Sequence, residues 1–354
     1  VFNHLNYPNL CNLFNELNVK TYESDMSFSA SLENGGLEYS GSSLRSMFAQ
    51  KKNIFNLKYL KMLMEIIKFY KNVEYDKMNY NNFTIEDYLT IKNYSDFFKY
   101  KHIYPMAASI WSSSLNEIKK YPFEQFVNFF SNHGLLNLTN RPKWRTVLNG
   151  SQTYVKKIIE KENIIALNNI HIEIKKFKKG KLILKVNKNE KEYDHVIIAV
   201  HSDQVKHVNK IPHLNNMNIF EDIKYTTNEV FLHTDENLMP KLKKVWASWN
   251  YLEGENNNKL SVTYWMNKLQ NLDTKTNIFV TLNPFIEPSK ETIIKRIIYD
   301  HPIYNFKTFK TQKKIKLIQG KFNIWYCGAY LGYGFHEDGI RSGLDVVDQI
   351  LKKK

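Results

Sequence analysis

The sequence predicts an α/β fold in which a second lobe has α+β character. Three observations carry this. Apolar residues recur at helical spacing through most of the first 161 residues, and the period then switches to alternation. The chain closes on a strand, a glycine-rich bend and an amphipathic helix. With 354 residues, 43% of them hydrophobic, the chain can bury one large core or two interleaved ones, so two lobes are expected.

The elements follow in order. Leu10, Leu13, Phe14 and Leu17 share a face behind Pro8, which suits the first turn of a helix. "SDMSFSASLENGGLEYS" alternates about Gly35-Gly36 and reads as a hairpin. From Leu44 to Asn72 a long helical region sets Ile54, Phe55, Leu57, Leu60, Leu63, Met64, Ile67 and Phe69 among lysines. That pattern fits an ordinary core helix with a solvated lysine face, or a helix resting on a bilayer surface. Further helices run through His133, and "RPKWRTVLNGSQTYVKKIIEK" adds a turn and an amphipathic helix. "IHIEIKKFKKGKLILKV" is then a strand, a Lys-Gly turn and a strand. Val196 to Val200 is an apolar run of the kind buried on both faces of a parallel sheet, with a ligand-side loop after it. "EVFLHTD", "VWASWNYL", "LSVTYWMN" and "NIFVTLN" alternate, as strands of one antiparallel sheet with an aromatic face would.

Composition excludes several classes. The formal net charge of +15 invites nucleic acid or an anionic membrane as partner. The lysines are spread along nearly the whole chain and are not clustered, which argues against nucleic acid. Cys11 and Cys327 lie far apart and fit no ligand spacing, so a reduced, cytoplasmic setting is the expectation. The eleven histidines are scattered, and no metal site is expected. No apolar run reaches the ~20 residues a spanning helix needs. Peripheral contact with the inner membrane surface stays open. The opening at Val1 reads as a fragment.

Five of the 13 glycines fall between Gly328 and Gly343, inside "WYCGAYLGYGFHEDGIRSGLDVVDQILKKK". "IWYCGAYLG" is a short strand, "GYGFHEDG" a bend, and Ile340, Leu344, Val347 and Leu351 mark a helix that Asp338 can cap. Free N–H groups, a positive dipole end and absent Cβ atoms make such a corner a site for an anion or a carbonyl. Gly339 and Gly343, one turn apart, leave room for a flat ring.

Over essentially its whole length the chain resembles the NAD/FAD-binding proteins of the flavin-containing amine oxidase and phytoene desaturase superfamily. The matching segments include "SDMSFSASLENGGLEYSG", "MFAQKKNIFNLKYLKML", "YPMAASIWSSS", "FFSNHGLLNLTNRPKWRTVLNGSQTYV", "AVHSDQV", "VTYWMNKLQ" and "GAYLGYGFHEDGIRSGL". The resemblance implies FAD and a discontinuous Rossmann-like FAD/NAD(P)-binding lobe made of 1–20, 140–205 and 312–354, without its first βαβ unit. Segments 21–139 and 206–311 would form a mixed substrate lobe with an antiparallel sheet and helices. The family's C-terminal flavin segment falls on Gly328, Gly332, Tyr333, Gly334, Phe335, His336, Glu337, Asp338, Gly339, Ile340 and Ser342. A backbone contact to adenine falls near His171, and the strand end from Ala199 through His201 would pass the cofactor.

Two departures shape the functional expectation. The opening GxGxxG and the ribose-binding acid of the superfamily are absent from this sequence, which leaves open whether this chain holds FAD. Where amine oxidases place a lysine near flavin N5, on a strand resembling "TTNEVFLHTD", the sequence has Asn228 and Glu229. The likeness is therefore better to the lipid and carotenoid desaturase side: dehydrogenation or desaturation of an apolar substrate such as a lipid acyl chain, with an unknown electron acceptor. Glu337 and His336 are the only adjacent titratable pair beside the expected flavin and are candidate proton acceptors, with capping and turn chemistry as their structural alternative. Trp111, Trp246, Trp249, Tyr264 and Trp265 are candidates for lining an apolar chamber. Two other readings stand beside this one: a non-catalytic lipid or membrane-surface binding protein that keeps the fold, and a true amine oxidase.

Overall fold

A computed structural model describes residues 1–137, 141–162, 164–211, 217–254 and 260–353. The chain divides into two compact units, and it passes from one to the other at 22/23, 146/147, 225/226 and 303/304.

The unit of 23–146 and 226–303 carries a seven-stranded sheet. Its order is Ile293–Pro302, Tyr225–His233, Phe279–Leu282, Leu260–Trp265, Trp249–Glu253, Phe28–Leu32 and Leu37–Ser40. The expected hairpin pairs Phe28–Leu32 with Leu37–Ser40, antiparallel. The sheet is not wholly antiparallel, because Trp249 to Leu252 run parallel to Phe28 to Ser31. A buried polar chain crosses that junction. Asn250 Oδ1 accepts from Ser29 Oγ at 2.7 Å, and Asn250 Nδ2 donates to Thr263 O at 3.0 Å. Thr263 Oγ1 and Thr281 Oγ1 lie 2.8 Å apart, and His233 Nε2 meets Thr281 Oγ1 at 2.7 Å. His233 Nδ1 accepts from the Asp235 N–H at 3.1 Å, so the ring is neutral and carries its proton on Nε2. Such interior groups are tolerated because each finds a partner.

Several helices of this unit start on side-chain caps. Asn56 Oδ1 accepts from the amides of Lys58 and Tyr59 at 3.1 and 3.2 Å and starts the helix Leu57–Asp76. The helical stretch expected from Leu44 to Asn72 is therefore three pieces: Leu44–Met47 behind Ser43, the 3₁₀ turn Lys51–Phe55, and the long helix. The long helix buries Tyr59, Met62, Phe69 and Val73. Phe69 meets Tyr88, Tyr94, Phe98 and Phe126 at ring distances of 5.8–6.4 Å.

The unit of 2–22, 147–225 and 304–354 contains a three-stranded meander, Ile172–Lys178, Lys181–Val186 and Asn189–Tyr193. Lys179 and Gly180 both have positive φ, +48° and +81°, which is what a two-residue hairpin of matching twist requires. Val196–Ile198 pairs in parallel with Ile324–Tyr326. The run from Val196 is not buried on both faces: Ile198 packs into the core, while Ile197 stays 45% exposed, although its register partner Trp325 on the same face is buried against Val346 and Ile350 of the last helix. Leu182, Leu184, Ile198, Val205, Phe220, Ile315, Ile324 and Tyr326 make the core. The helices Pro8–Glu16 and His336–Lys352 both belong to this unit.

Candidate functional site

The glycine-rich bend is held from behind by side chains. After Ile324–Tyr326, the Gly328 amide donates to Ser342 Oγ at 2.9 Å, which pins the strand end to the last helix. Gln312 Nε2 donates to the carbonyls of Tyr330 and Gly332, at 2.9 and 2.7 Å, and fixes the turn between them. Asp338 Oδ2 accepts from the amides of Tyr333 and Phe335 at 2.9 and 3.1 Å, while its Oδ1 accepts from Arg341 Nη2 at 2.6 Å. A Cβ at Gly332 would run into that same carboxylate. Gly334 sits at φ +94°, and a Cβ there would stand 2.6 Å from Tyr304 Oη. Burial outweighs these hydrogen bonds and holds the Asp338 carboxyl above its ordinary value. Burial also raises the Tyr330 phenol, helped by nearby Tyr225, and its buried Oη has no hydrogen-bond partner.

The helix begins three residues earlier than a cap at Asp338 would place it. Phe335 is the N-cap and has no side-chain acceptor, so Asp338, at the third helical position, supplies half of a capping box through the Phe335 amide. The first intrahelical bond runs from the Gly339 amide to the Phe335 carbonyl at 3.1 Å. The amides of His336, Glu337 and Asp338 precede it and point out of the helix end.

Glu337 is committed elsewhere. It is 8% exposed; Oε1 accepts from Asn9 N at 3.1 Å and Asn9 Nδ2 at 2.6 Å, and Oε2 from Leu10 N at 3.1 Å. The helix Pro8–Glu16 has no side-chain cap of its own at Tyr7, so this carboxylate caps it from 328 residues away. Together with burial, the Asp338 and Glu337 charges raise the Tyr7 phenol. His336, by contrast, is exposed at the first turn.

The remaining expected residues of this unit spread out. Ala199 and His201 are exposed after Val196–Ile198, and the His201 ring stacks on Tyr225 at 4.9 Å and 17°. Ser202 receives the same Tyr225 through its amide, which donates to Oη at 3.0 Å. His171 lies at the open end of the meander. Its amide donates to Asn187 Oδ1 at 3.0 Å and its carbonyl accepts from Asn187 N at 2.8 Å, so both main-chain groups proposed for an adenine contact are already used by the hairpin. Gln312, Asn9 and Tyr304 had no motif to mark them. The one legible signal was the shared face of Thr308, Thr311, Gln312 and Ile315 in a lysine-rich helix, and all four are buried.

In the other unit the five aromatic candidates do not share one wall. Tyr264 and Trp265 are consecutive in a strand and so point to opposite faces of the sheet. Trp249 is registered opposite Tyr264 and meets it edge-on at 4.9 Å. Tyr264 also hydrogen-bonds Ser112, next to Trp111. Trp265 instead meets Trp246 at 5.5 Å. The indole N–H groups follow the same split. Trp246 Nε1 donates to Pro240 O and Trp265 Nε1 to Asn277 Oδ1, whereas Trp111 Nε1 and Trp249 Nε1 are buried without a partner. Asn228, where a lysine would stand in an amine oxidase by the resemblance, is fully buried. Its Nδ2 lies 2.9 Å from His301 Nδ1 and 3.0 Å from Thr226 O, and its Oδ1 accepts from Asn283 Nδ2 at 2.7 Å. A cavity of about 190 Å³ between Asp235, Leu252, Phe285 and Glu287 includes none of the five aromatics. No group of three or more His, Cys, Asp or Glu among the described residues could hold a metal.

The fold and this corner define a flavoprotein of the amine oxidase type. Residues 1–301 match the family of flavin containing amine oxidoreductases, and the chain belongs to that family. Among solved structures it is similar to a fatty acid isomerase from P. acnes that produces CLA, with 12% identity, a TM-score of 0.64, and coverage of 97% of this chain and 84% of that one. It is similar to a putrescine oxidase bound to putrescine, at 12% identity and TM-score 0.62, covering 98% and 86%. A cyclohexylamine oxidase from Brevibacterium oxydans IH-35A follows at 9% identity and TM-score 0.61, covering 98% and 85%. No curated protein matches the chain.

The family implies FAD, and the corner fits it in part. Three outward amides at a 17-residue helix end are donors for a ligand. Glu337 and Asp338 in the first turn make that end poor for a phosphate, so a neutral carbonyl suits it better. A Cβ at Gly343 would have no neighbour within 4 Å, and one at Gly339 would reach only Ala329 at 3.8 Å, which leaves a smooth helix face. The unpartnered Tyr330 Oη adds a polar atom at the bend.

Proposed function

We propose that the chain is an FAD-dependent oxidoreductase that dehydrogenates or desaturates an apolar substrate such as a lipid acyl chain. The single observation that carries the flavin part is the helix end at His336 to Asp338, with its outward amides and the smooth face at Gly339 and Gly343. Bound FAD supplies a two-electron hydride acceptor at N5. The work of this chain is to hold and orient. Gln312, Ser342 and Asp338 fix the bend, and the amides of His336, Glu337 and Asp338 would donate to a flavin carbonyl. Gly328, Gly332, Tyr333, Gly334 and Phe335 supply the path of the bend beside it, with His201 and Ala199 at the neighbouring strand end. Glu337 acts as a positioning residue, since its oxygens already serve Asn9 and Leu10. His336 is then the group left of the pair, and it would take the proton from the neighbouring C–H bond when a first C–H bond gives up its hydride to the flavin and a double bond forms between the two carbons.

The apolar substrate is favoured by a neutral amide, Asn228, engaged on every side where the resemblance leads one to expect a lysine. Trp111, Trp249 and Tyr264 are the side of the sheet assigned to substrate, because two of them keep unpartnered indole N–H groups. A cytoplasmic setting agrees with two buried cysteines that form no disulfide. No helix among the described residues is long and apolar enough to cross a membrane.

The test is the visible absorbance of the purified protein before and after denaturation, followed by anaerobic titration with acyl lipids and with primary amines. Released flavin near one per chain and bleaching by an acyl lipid are expected. Bleaching by amines alone moves the chain to amine oxidation. A colourless, folded protein that takes up no added FAD, when the chain is extended by its upstream coding sequence, overturns the oxidoreductase reading and leaves the lipid-surface binding protein.

A further inference from the structure

The region from Leu44 to Asn72 does not behave as a core helix with a solvated lysine face. Its buried side is filled by Tyr59, Met62 and Phe69, yet Phe55 and Leu57 are 86% and 80% exposed and Met64 is 63% exposed. Leu44, Ile54 and Ile67 are exposed as well. At 100° per residue, Leu57, Met64 and Tyr75 fall on one azimuth of the helix Leu57–Asp76, and Lys61, Lys68 and Lys71 lie within about 40° of it. The outward stripe is thus apolar and cationic in alternation along about 27 Å of helix. Ahead of it, the 3₁₀ turn presents Lys51, Lys52 and Phe55 to solvent. Between Leu44 and Asn72 stand seven Lys and Arg and a single acid, Glu65. Glu65 is buried and accepts from Ser95. Among the described residues, no ion pair engages Lys51, Lys52, Lys58 or Lys61.

We propose that this face lies on an anionic lipid surface, with Phe55, Leu57 and Met64 inserted among the acyl chains and the flanking lysines against the headgroups. Large aliphatic and aromatic side chains standing clear of the protein need an apolar phase, and lysines can lay their stems along it while their charges stay in water. The charge pattern selects the occupant. A second copy would meet the patch with itself, setting seven cations against seven, which is repulsive. Nucleic acid would satisfy the lysines but leave Leu57 and Met64 uncovered. An anionic bilayer satisfies both kinds of residue. The inference stands apart from the flavin chemistry, because docking is read from protein in a vesicle pellet and the flavin from absorbance.

The experiment is sedimentation of the full chain with phosphatidylcholine vesicles, with and without phosphatidylserine, at low and high salt. Binding should need phosphatidylserine and weaken as salt screens the lysines. Phe55→Glu with Leu57→Glu should weaken it by more than about tenfold, and each of Lys51→Gln, Lys52→Gln, Lys58→Gln and Lys61→Gln by roughly fivefold. These residues are exposed, so the variants should melt as the parent does. A matched set of four, Lys176→Gln, Lys178→Gln, Lys188→Gln and Lys191→Gln on the meander, removes the same charge and should change binding much less. Equal weakening by the two sets would reduce the effect to diffuse net charge and overturn the proposal. So would retention of binding in the Phe55 and Leu57 variant, or a dimer dissolved by Leu57→Glu in a protein that ignores vesicles.

Discussion

Replacing Glu337 separates a positioning role from a catalytic one. Its carboxylate accepts three hydrogen bonds, two from backbone amides at the start of the helix Pro8–Glu16 and one from the Asn9 side chain. A hydrogen bond to a charged group nets about 1.5–3 kcal/mol, and an unmade N-cap costs about 1 kcal/mol. Because the three share one acceptor they are not additive, and Glu337→Ala should destabilise by about 4 kcal/mol. For a unit of this size that is a fall in Tm of roughly 8–16 °C. Glu337→Gln keeps one acceptor and turns an NH₂ toward a donor, so it should lose about half as much. The assay is thermal melting with and without FAD, set beside the rate of flavin reduction by substrate. A positioning residue moves the melting temperature and FAD affinity together, and the rate at saturating cofactor stays within a few fold. Should Glu337→Gln abolish reduction while the melt shifts by less than 1 °C or so, the capping account fails and Glu337 is the base.

Three further outcomes follow from the structure. His102 and His233 are buried and neutral; burial lowers their pKa values from 6.5 to about 3 and about 4. Unfolded chains bind those two protons near pH 6.5 and the folded chain does not, so stability is full above that pH and falls as pH drops toward 4, by about 6 kcal/mol in total. Denaturant midpoints measured across that range should show it, and His233→Gln should flatten the slope by nearly half; an unchanged slope contradicts the neutral assignment. Gly334→Ala meets both a positive φ and the Tyr304 hydroxyl, and should cost about 2–3 kcal/mol and weaken FAD binding as read by retained flavin. Asn228→Lys would place a charge in a fully buried amide cluster and should destabilise by more than about 3 kcal/mol without creating amine oxidation; gain of amine-dependent flavin bleaching would refute the assignment.

Local chemistry was the legible part. Pro8 announced the first helix, Lys179-Gly180 the tight hairpin, and the matching segments the family, which the match over residues 1–301 bears out. The α/β class followed from the change of period near Ile170. What escaped the sequence depended on partners distant in the chain. Asn56 breaks a continuous apolar pattern because its side chain can cap the next helix, which no periodicity reveals. The edge strand Ile293–Pro302 places its isoleucines in adjacent pairs, so the alternation that marks a strand is lost. The five aromatics looked like one wall because the sequence does not state how Trp246 turns relative to Trp265. Glu337 looked reactive because its partners, Asn9 and Leu10, are more than 300 residues upstream.

That same distance bears on how the protein is made. The helix Pro8–Glu16 leaves the ribosome well before the carboxylate that caps it, which arrives 328 residues later. At about 5–20 residues per second, synthesis leaves that helix waiting for roughly 20 s to 1 min. Nine residues do not hold a helix alone in water for that long. That helix is therefore among the last parts of this unit to become structured, and a ribosome stalled before His336–Lys352 is made would carry it unfinished.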